Sequence, residues 1–597
     1  MPSPPSAPAT RKTARGCERS LTLCAEIRMS RPATAPSATD PRRLDEAIAR
    51  LRDGAPIWAR ASLPERIALA RSMARGTART AERAVAAACA AKGIAPGSPL
   101  AGEEWLSGPY VVLRQLRLVT RSLQALARHG NTPVGATGET EDGRLTVGVF
   151  PASPTDRALF LGVHAEVHFE EGVGERELHE TRARFHKAPD HDGQVCLVLG
   201  AGNVNAIPPA DVVTKLFNEG KVCILKMNPV NAYLGPILEE AFAEAIARGF
   251  LAVVYGGAEE GWHLAHHPGV DEVHITGSDR THDLIVWGPP GPERAARMAR
   301  GDPLLRKEIT SELGNITPVL VVPGPWDART LAAQAESIAG MVTHNASYNC
   351  IAGKMLVTAR GWRQRDELLA AVERFVALVP PRRAWYPGSA SSYHRLLDGR
   401  AGVRRVGEAR PDELPWALVP GVEPDPDDAA FRQEPFCAVL WETSAGSADP
   451  LEYLDAAVTL ANETLWGTLA AHIVVHPRTA SDPAVRPALE RAIRALRYGS
   501  VSVNCWAGYG FAFGTTPWGA YPGATLTDIQ SGRGFVHNAL MLERVEKSVV
   551  RHPAVTFPKP PYFPSHRTAQ ALGRGLTRLE ARGLTALPAV VAAGLRG

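Results

Sequence analysis

The chain has 597 residues, 45% hydrophobic, 21% charged and 6% aromatic. That composition excludes a peptide, a fibre or a wholly disordered chain, leaves apolar mass for several domains of about 100–200 residues each, and contains no run near the roughly 18 apolar residues of a membrane-spanning helix. Of the net charge of +4, residues 1–43 hold +5 (eight Lys/Arg against Glu18, Glu26 and Asp40), leaving the other 554 at −1, a body too neutral for the clustered basic charge that nucleic acid requires.

Residues 1–43, rich in Pro, Ala, Ser and Arg without apolar periodicity, are expected to be disordered. Their Arg-bearing, acid-poor composition also suits a transit peptide, but seven prolines oppose the amphipathic helix such a peptide forms. From 44 to about 127, Ile67, Leu69, Ala70 and Met73, then Leu113, Leu116, Val119 and Leu123, recur at helical spacing and predict a helical layer. Residues 130–175 change to Gly/Thr/Glu-rich turns around the apolar runs 145–150 and 158–163, the texture of a strand-rich hairpin or insertion.

Between 195 and 275 apolar runs at 195–199, 222–225, 251–255 and 272–275 alternate with helix patterns at 211–217, 235–248 and 259–266. Alternation at this spacing predicts a doubly wound parallel sheet, which binds ligands at the carboxyl ends of its strands. A second α/β region opens at 316–322 and reaches about 520, with strands expected at 355–358, 438–440, 472–475 and 500–503. Past 543 come a Pro-rich tail and a final helix over about 568–595. The eight cysteines (Cys17, Cys24, Cys89, Cys196, Cys223, Cys350, Cys437 and Cys505) include no C-x-x-C pair, which fits a reducing, cytoplasmic setting.

The strand at 195–199 runs into Gly200-Ala201-Gly202-Asn203-Val204-Asn205, the beginning of a G-x-G-x-x-G loop with Asn205 at the third glycine; an ordinary strand-to-helix turn looks the same. Its surroundings add weight. Lys226 follows Asn203 at the end of Cys223-Ile224-Leu225-Lys226. Val273-His274-Ile275-Thr276-Gly277-Ser278 comes next, preceded by His267-Pro268, then Ser311-Glu312-Leu313-Gly314-Asn315, Asn349-Cys350-Ile351-Ala352-Gly353, Glu434-Pro435-Phe436 and Ala461-Asn462-Glu463-Thr464-Leu465-Trp466-Gly467. Six segments in this order resemble the NAD(P)-dependent aldehyde dehydrogenase superfamily over roughly 195–540.

The resemblance implies Cys350 as nucleophile, Glu312 as general base and Asn203 as oxyanion donor, with Lys226, Gly277, Ser278, Glu434 and Phe436 holding NAD or NADP. Residue chemistry agrees. Oxidising an aldehyde by hydride loss first requires a tetrahedral adduct, and a thiolate is both a good nucleophile and a good leaving group from the later thioester. An amide and a backbone N–H stabilise the oxyanion, and a carboxylate activates the deacylating water. Each residue type also has an ordinary role: free cysteine is commonly packing, glutamate is commonly solvated, and asparagine commonly sits in turns.

The implied fold is an aldehyde dehydrogenase-like α/β architecture. It has a disordered segment at 1–43, a helical layer and doubly wound dinucleotide-binding domain at 44–315, and a catalytic α/β domain at 316–520. The remaining 521–597 is a C-terminal return with an oligomerisation tail and terminal helix. The 130–175 hairpin and this tail are expected to complete a neighbouring subunit's sheet in a homodimer or homotetramer.

Several positions depart from the family pattern. Ser347-Tyr348 stands for the usual Gly-Gln before the nucleophile, Asn315 for the second glycine after Glu312, and Cys437-Ala438 for the Gly-Pro after Phe436. The segment Trp287-Gly288-Pro289-Pro290-Gly291-Pro292 falls where the family runs a helix. Pro229 occupies the position at which many NAD-preferring members carry a Glu that repels a 2′-phosphate, which favours NADP slightly. No metal site is expected: His263-Leu264-Ala265-His266-His267 lacks H-E-x-x-H spacing and a nearby carboxylate, and His179, Glu180, His186 and His191 read as a solvated face. Tyr348, Trp506, Tyr509, Phe511 and Phe513 suggest an aromatic-lined entrance for an aldehyde. An acyl-thioester reductase of the same fold and a catalytically silent NAD(P)-binding member are the alternatives. A deacylating Glu312 argues against the first, and the joint presence of Cys350, Glu312 and Asn203 against the second.

Overall fold

Two stretches of alternating strand and helix assemble two parallel sheets in the computed structural model, which describes residues 36–188 and 191–597. The first sheet has six strands in the order Gly532–Arg533, Glu308–Leu313, Glu272–Gly277, Val195–Leu199, Val222–Lys226 and Leu251–Val254; all neighbours are parallel except the Gly532–Arg533 edge. Val195–Leu199 and Val222–Lys226 are buried along their whole length, as strands covered by helices on both faces must be. The chain order reverses beside Val195–Leu199, and the crevice at the carboxyl ends of the strands opens there.

The second sheet has eleven strands. Its parallel centre is Ser500–Val503, Ala470–Val474, Pro318–Val321, Met355–Ala359, Val439–Ala445 and Trp416–Val419, around the largest apolar core of the chain. Arg404–Val406 closes one edge. On the other, Val545–Arg551 pairs parallel with Ser500–Val503, and the antiparallel strands His164–Phe169, Leu145–Phe150 and Thr137–Glu139 follow. The hairpin expected to reach a neighbouring subunit therefore lies on this chain's own sheet.

The helical layer is Pro41–Ala59, Leu63–Lys92, Ala101–Trp105 and Val111–His129. Ser62 and Glu65 form a capping box on the second of these, and Gly93 ends it in the left-handed conformation. Of the segment expected to be disordered, residues 1–35 lie outside the described residues. Its end is corrected, because Asp40 accepts the Arg42 N–H and starts a helix at Pro41.

Three other expectations change. The apolar run at 158–163 is not a strand: Ser153 caps the helix Pro154–Leu159 by accepting the Asp156 N–H, and the strand begins afterwards at His164. The helix pattern at 235–248 breaks at Phe242. The terminal helix splits at Gly583 into Ala569–Arg582 and Leu587–Leu595. Helices also form on both sides of Gly288-Pro289-Pro290-Gly291, at Asp279–Trp287 and Pro292–Arg300. No described helix is long and apolar enough to cross a membrane.

A buried ion cluster holds the C-terminal helix. Arg114 bonds Asp156 and Glu580, each at 3.0 Å, while Arg117 pairs with the same Glu580. Removing one partner strands charge in a desolvated site, so Glu580→Ala should lower the unfolding free energy by about 3 kcal/mol. Urea denaturation at neutral pH checks this, and an unchanged midpoint would contradict the anchor.

Candidate active site

The site forms where loops from the two sheets meet. From the six-stranded sheet come the 200–205 loop, the Thr276-Gly277-Ser278 turn and the strand Glu308–Leu313 carrying Glu312. From the eleven-stranded half comes the loop 344–350, which follows the buried helix Ala328–Thr343 and presents Cys350. Cys350 is part of the wall of two cavities. One, of about 390 Å³, is lined by Gly202, Asn203, the 276–280 turn, Glu312, Gly314 and the 432–436 segment. The other, of about 110 Å³, is almost wholly apolar and includes Trp506, Tyr509, Phe511 and Phe513. Of the predicted aromatic wall, only Tyr348 is absent from this second cavity. It packs instead against Trp385, Tyr386 and Phe436, with its hydroxyl on Ser389 Oγ at 2.9 Å.

Seven of the eight predicted site residues line the larger cavity: Asn203, Gly277, Ser278, Glu312, Cys350, Glu434 and Phe436. Lys226 stands behind it at its strand end, facing Gly261, where burial draws its ammonium down to about 8 against the opposing pull of Glu260. Glu260, a carboxylate the sequence did not single out, caps the next helix by accepting the Gly257 N–H at 2.6 Å. Ser278 caps the helix Asp279–Trp287, so the turn before it ends at a helix N-terminus, a favourable place for phosphate oxygens.

Burial dominates the electrostatics. Glu312 is pushed up to about 8 by desolvation and by the Asp211 charge, partly offset by the Cys350 thiol and the Trp518 indole beside it. Its Oε1 has no hydrogen-bond partner among the described residues. Desolvation raises Asp211 too, but His274 and His537 bond to it and hold it at about 2. Cys350 is raised well above an ordinary thiol by burial and then by Glu312 and Glu434. Glu434 is likewise pushed up to about 8 by burial, despite Lys354. Its carboxylate lies against the Gly314 backbone, where a Cβ would stand 1.9 Å from Oε2, which explains a glycine at 314.

The departures from the family pattern have local causes. Asn315 is fully buried, donates to the Ala470 carbonyl at 2.9 Å and accepts from Thr317 Oγ at 2.9 Å, so it ties the Glu312 strand to the second sheet. Asn345, Ala346 and Ser347 all have left-handed φ, at 55°, 56° and 67°, a conformation that costs a non-glycine residue roughly 1–2 kcal/mol. Two buried lysines hold this loop. Lys354 Nζ donates to Ser347 O and Oγ, both at 2.8 Å. Lys92 Nζ donates to Glu104 Oε1 at 2.8 Å, Asn345 Oδ1 at 2.9 Å and the Asn203 carbonyl at 3.2 Å.

Asn345 Nδ2 in turn reaches the Asn203 and Tyr348 carbonyls at 3.0 and 3.1 Å. Asn203 Nδ2 donates to Tyr348 O at 3.0 Å, which leaves its second amide hydrogen for a ligand. Sequence reasoning missed Lys92, Glu104, Asn345 and Lys354. The first two lie in a helical layer where Lys and Glu ordinarily face water, whereas Asn345 and Lys354 flank the nucleophile closely enough to have been weighed.

The histidine cluster also needs a correction, because a carboxylate is nearby. Asp45, from the first helix, meets His263 Nε2 at 2.7 Å and His267 Nε2 at 3.6 Å. His267 Nδ1 accepts the Gly269 N–H at 3.0 Å, however. Nε2 is then the protonated nitrogen, a tautomer that pairs with Asp45 rather than with a metal.

The sequence model of the Aldehyde dehydrogenase family matches residues 195–380. The chain is 31% identical over 128 residues to 4-trimethylaminobutyraldehyde dehydrogenase A of Danio rerio, covering 21% of this chain and 23% of that protein. It is 27% identical over 263 residues to geranial dehydrogenase of Castellaniella defragrans, covering 40% of this chain and 50% of that one. The chain thus spans half or less of the length of these curated relatives. In fold it is similar to an NADP-dependent glyceraldehyde-3-phosphate dehydrogenase from Bacillus halodurans complexed with NADP, with a TM-score of 0.57 and 19% identity over 86% of this chain and 92% of that one. Residues 195–380 thus match the aldehyde dehydrogenase family in sequence, and the α/β fold of the chain is similar to that of a solved aldehyde-oxidising dehydrogenase.

Proposed function

We propose that this protein oxidises an aldehyde to a carboxylic acid with NAD or NADP, through a thiohemiacetal and then a thioester on Cys350. The observation that carries the reading is the position of Cys350 between a polar cavity and an apolar one, with Glu312 beside it. The polar cavity suits a dinucleotide: the loop residues Ala201, Gly202 and Asn203 line it, Gly277 and Ser278 end at a helix N-terminus, and Glu434 Oε1, buried without a partner among the described residues, faces it as an acceptor for a ribose hydroxyl. When bound there, the nicotinamide accepts the hydride.

The protein's own residues do the rest. Cys350 sulfur attacks the aldehyde carbon while its proton passes to Glu312. The oxyanion lies between the free Asn203 amide hydrogen and the Cys350 backbone N–H, which bonds to no carbonyl among the described residues. After hydride departure Glu312 releases that proton to solvent and takes another from water, the hydroxide adds to the thioester carbon, and the thiolate leaves with the acid formed, recovering a proton from Glu312. The same carboxyl favours hydrolysis over transfer to another thiol. Cofactor choice stays open between NAD and NADP: Pro229 offers no charge against a 2′-phosphate, yet Glu260 lies near Lys226.

Cys350→Ala should abolish nicotinamide reduction with an aldehyde panel and the covalent acyl adduct seen by intact-protein mass spectrometry. Asn203→Ala should lower kcat by about 10²–10³-fold with the adduct still formed slowly. Glu312→Gln should slow the first-turnover burst of reduced nicotinamide and lower steady-state turnover by about 10²-fold or more.

Because Glu312 is active only as the carboxylate and is pushed up to about 8, wild-type kcat should rise with pH through that region and level above it, and the rise should vanish in Glu312→Gln. A flat wild-type profile would remove Glu312 from the base role. Lys92→Met should reduce kcat more than it changes KM, since the lysine bonds the loops that aim Asn203 and Cys350 and lines neither cavity; equal loss of both would mean general unfolding instead.

A further inference from the structure

The chain past Pro564 takes no part in the chemistry above, yet it is built into the site. Ala569–Arg582 and Leu587–Leu595 fold back as a helical hairpin, closed by Thr568 Oγ donating to the Ala593 carbonyl at 2.7 Å. Leu576, on the first of these helices and 7% exposed, lines the same apolar cavity as Cys350. We infer that this C-terminal hairpin is a wall of the aldehyde site and that Leu576 sets the length of substrate accepted, an inference that rests on the reading of Cys350 just given.

Three observations support it. The hairpin is seated too closely to act as a loose flap: a Cβ on Gly102 would lie 2.6 Å from Ala569 C, and one on Gly573 would lie 2.7 Å from Trp105 Cβ. Its anchor is coupled to the opposite wall, because Arg114 bonds Glu580 on the hairpin and also the carbonyl of Phe513, which lines the cavity. The space itself is small. At about 110 Å³ it is below the roughly 150 Å³ of an apolar cavity that holds benzene, and no Asp, Glu, Lys or Arg is among its described lining residues.

These features select an uncharged aliphatic aldehyde of a few carbons. The neighbouring walls are aromatic rings locked against one another, such as Phe160 on Tyr509 and Tyr509 on Tyr562. Leu576 is the aliphatic side chain that the extension adds to them, and shortening it lengthens the cavity without disturbing the rings.

The test measures kcat/KM for propanal, hexanal and decanal with the full-length wild type, Leu576→Ala and Leu576→Trp. Wild type should prefer propanal. Leu576→Ala should raise the decanal-to-propanal ratio by about 10-fold or more, and Leu576→Trp should lower the hexanal-to-propanal ratio by a similar factor. Identical length profiles in all three would overturn the inference. Thermal melts establish folding, and Leu576→Val replaces the alanine variant if that one does not fold.

If wild type oxidises no aldehyde with either nucleotide, the reading of Cys350 fails on its own. The wall is then judged by the rates at which N-ethylmaleimide and N-decylmaleimide label Cys350, followed by peptide mass spectrometry. Leu576→Ala should narrow the difference between the two reagents, and an unchanged ratio would overturn the wall.

Discussion

Burial opposes the ionisation of a thiol and a carboxyl standing side by side, and the rest of this site is arranged around that constraint. Desolvation raises both; Glu312 and Glu434 add to the rise of Cys350 and Asp211 to that of Glu312, whereas the thiol beside it draws Glu312 part of the way back. Two charged groups stand one layer back, of which Asp211 adds to the rise of Glu312. Asp211 keeps its charge between two histidines, while Lys354 spends its donors on Ser347. Exposing the pair to water would remove the desolvation that raises both groups, which is why the walls of both cavities matter as much as the two side chains.

Such a pair needs a rigid support, and the loop carrying Cys350 is intrinsically a poor one. Three successive non-glycine residues with left-handed φ cost several kcal/mol in total at about 1–2 each, so the loop holds its shape only through outside contacts. Lys92 supplies them from a helix far away in sequence. Its three donors are divided among Glu104, Asn345 and Asn203. One buried cation therefore fixes both the loop that carries Cys350 and the Gly200–Asn205 loop. A family-typical glycine at 347 would relieve the strain locally; here a charge network does the same from a distance.

Periodicity and ordered motifs carried the parts of this architecture that are local in sequence. Ser500–Val503 and Val195–Leu199 are runs of apolar or small residues flanked by breakers, and both form strands over the residues expected. Where a local signal was overruled, a competing local signal was present: the Ser153 cap converts the run at 158–163 into a helix end, and Gly583 divides the last helix. What could not be read was contact between distant segments. Lys92 and Glu104 look like solvated residues until Asn345 and Asn203 are brought to them. Asp45 approaches His263 from 218 residues away, and nothing in the sequence says which sheet the strand Val545–Arg551 will join.

That last choice bears on how the site is closed. Because Val545–Arg551 pairs with Ser500–Val503 of the same chain, the strand leaving the sheet delivers the following segment, with Pro561 and Tyr562, to the apolar cavity beside Trp506. Tyr562 bonds Ser337 on the buried helix that leads to Cys350, and the terminal hairpin then continues onto the N-terminal helical layer. Pairing the strand in this way thus covers an otherwise open sheet edge and carries the C-terminal extension to the apolar cavity, where Leu576 is among the lining residues. Sheet completion and substrate-site enclosure are consequences of a single strand register, so a change that shifted Val545–Arg551 would be felt at Cys350 as well as at the sheet edge.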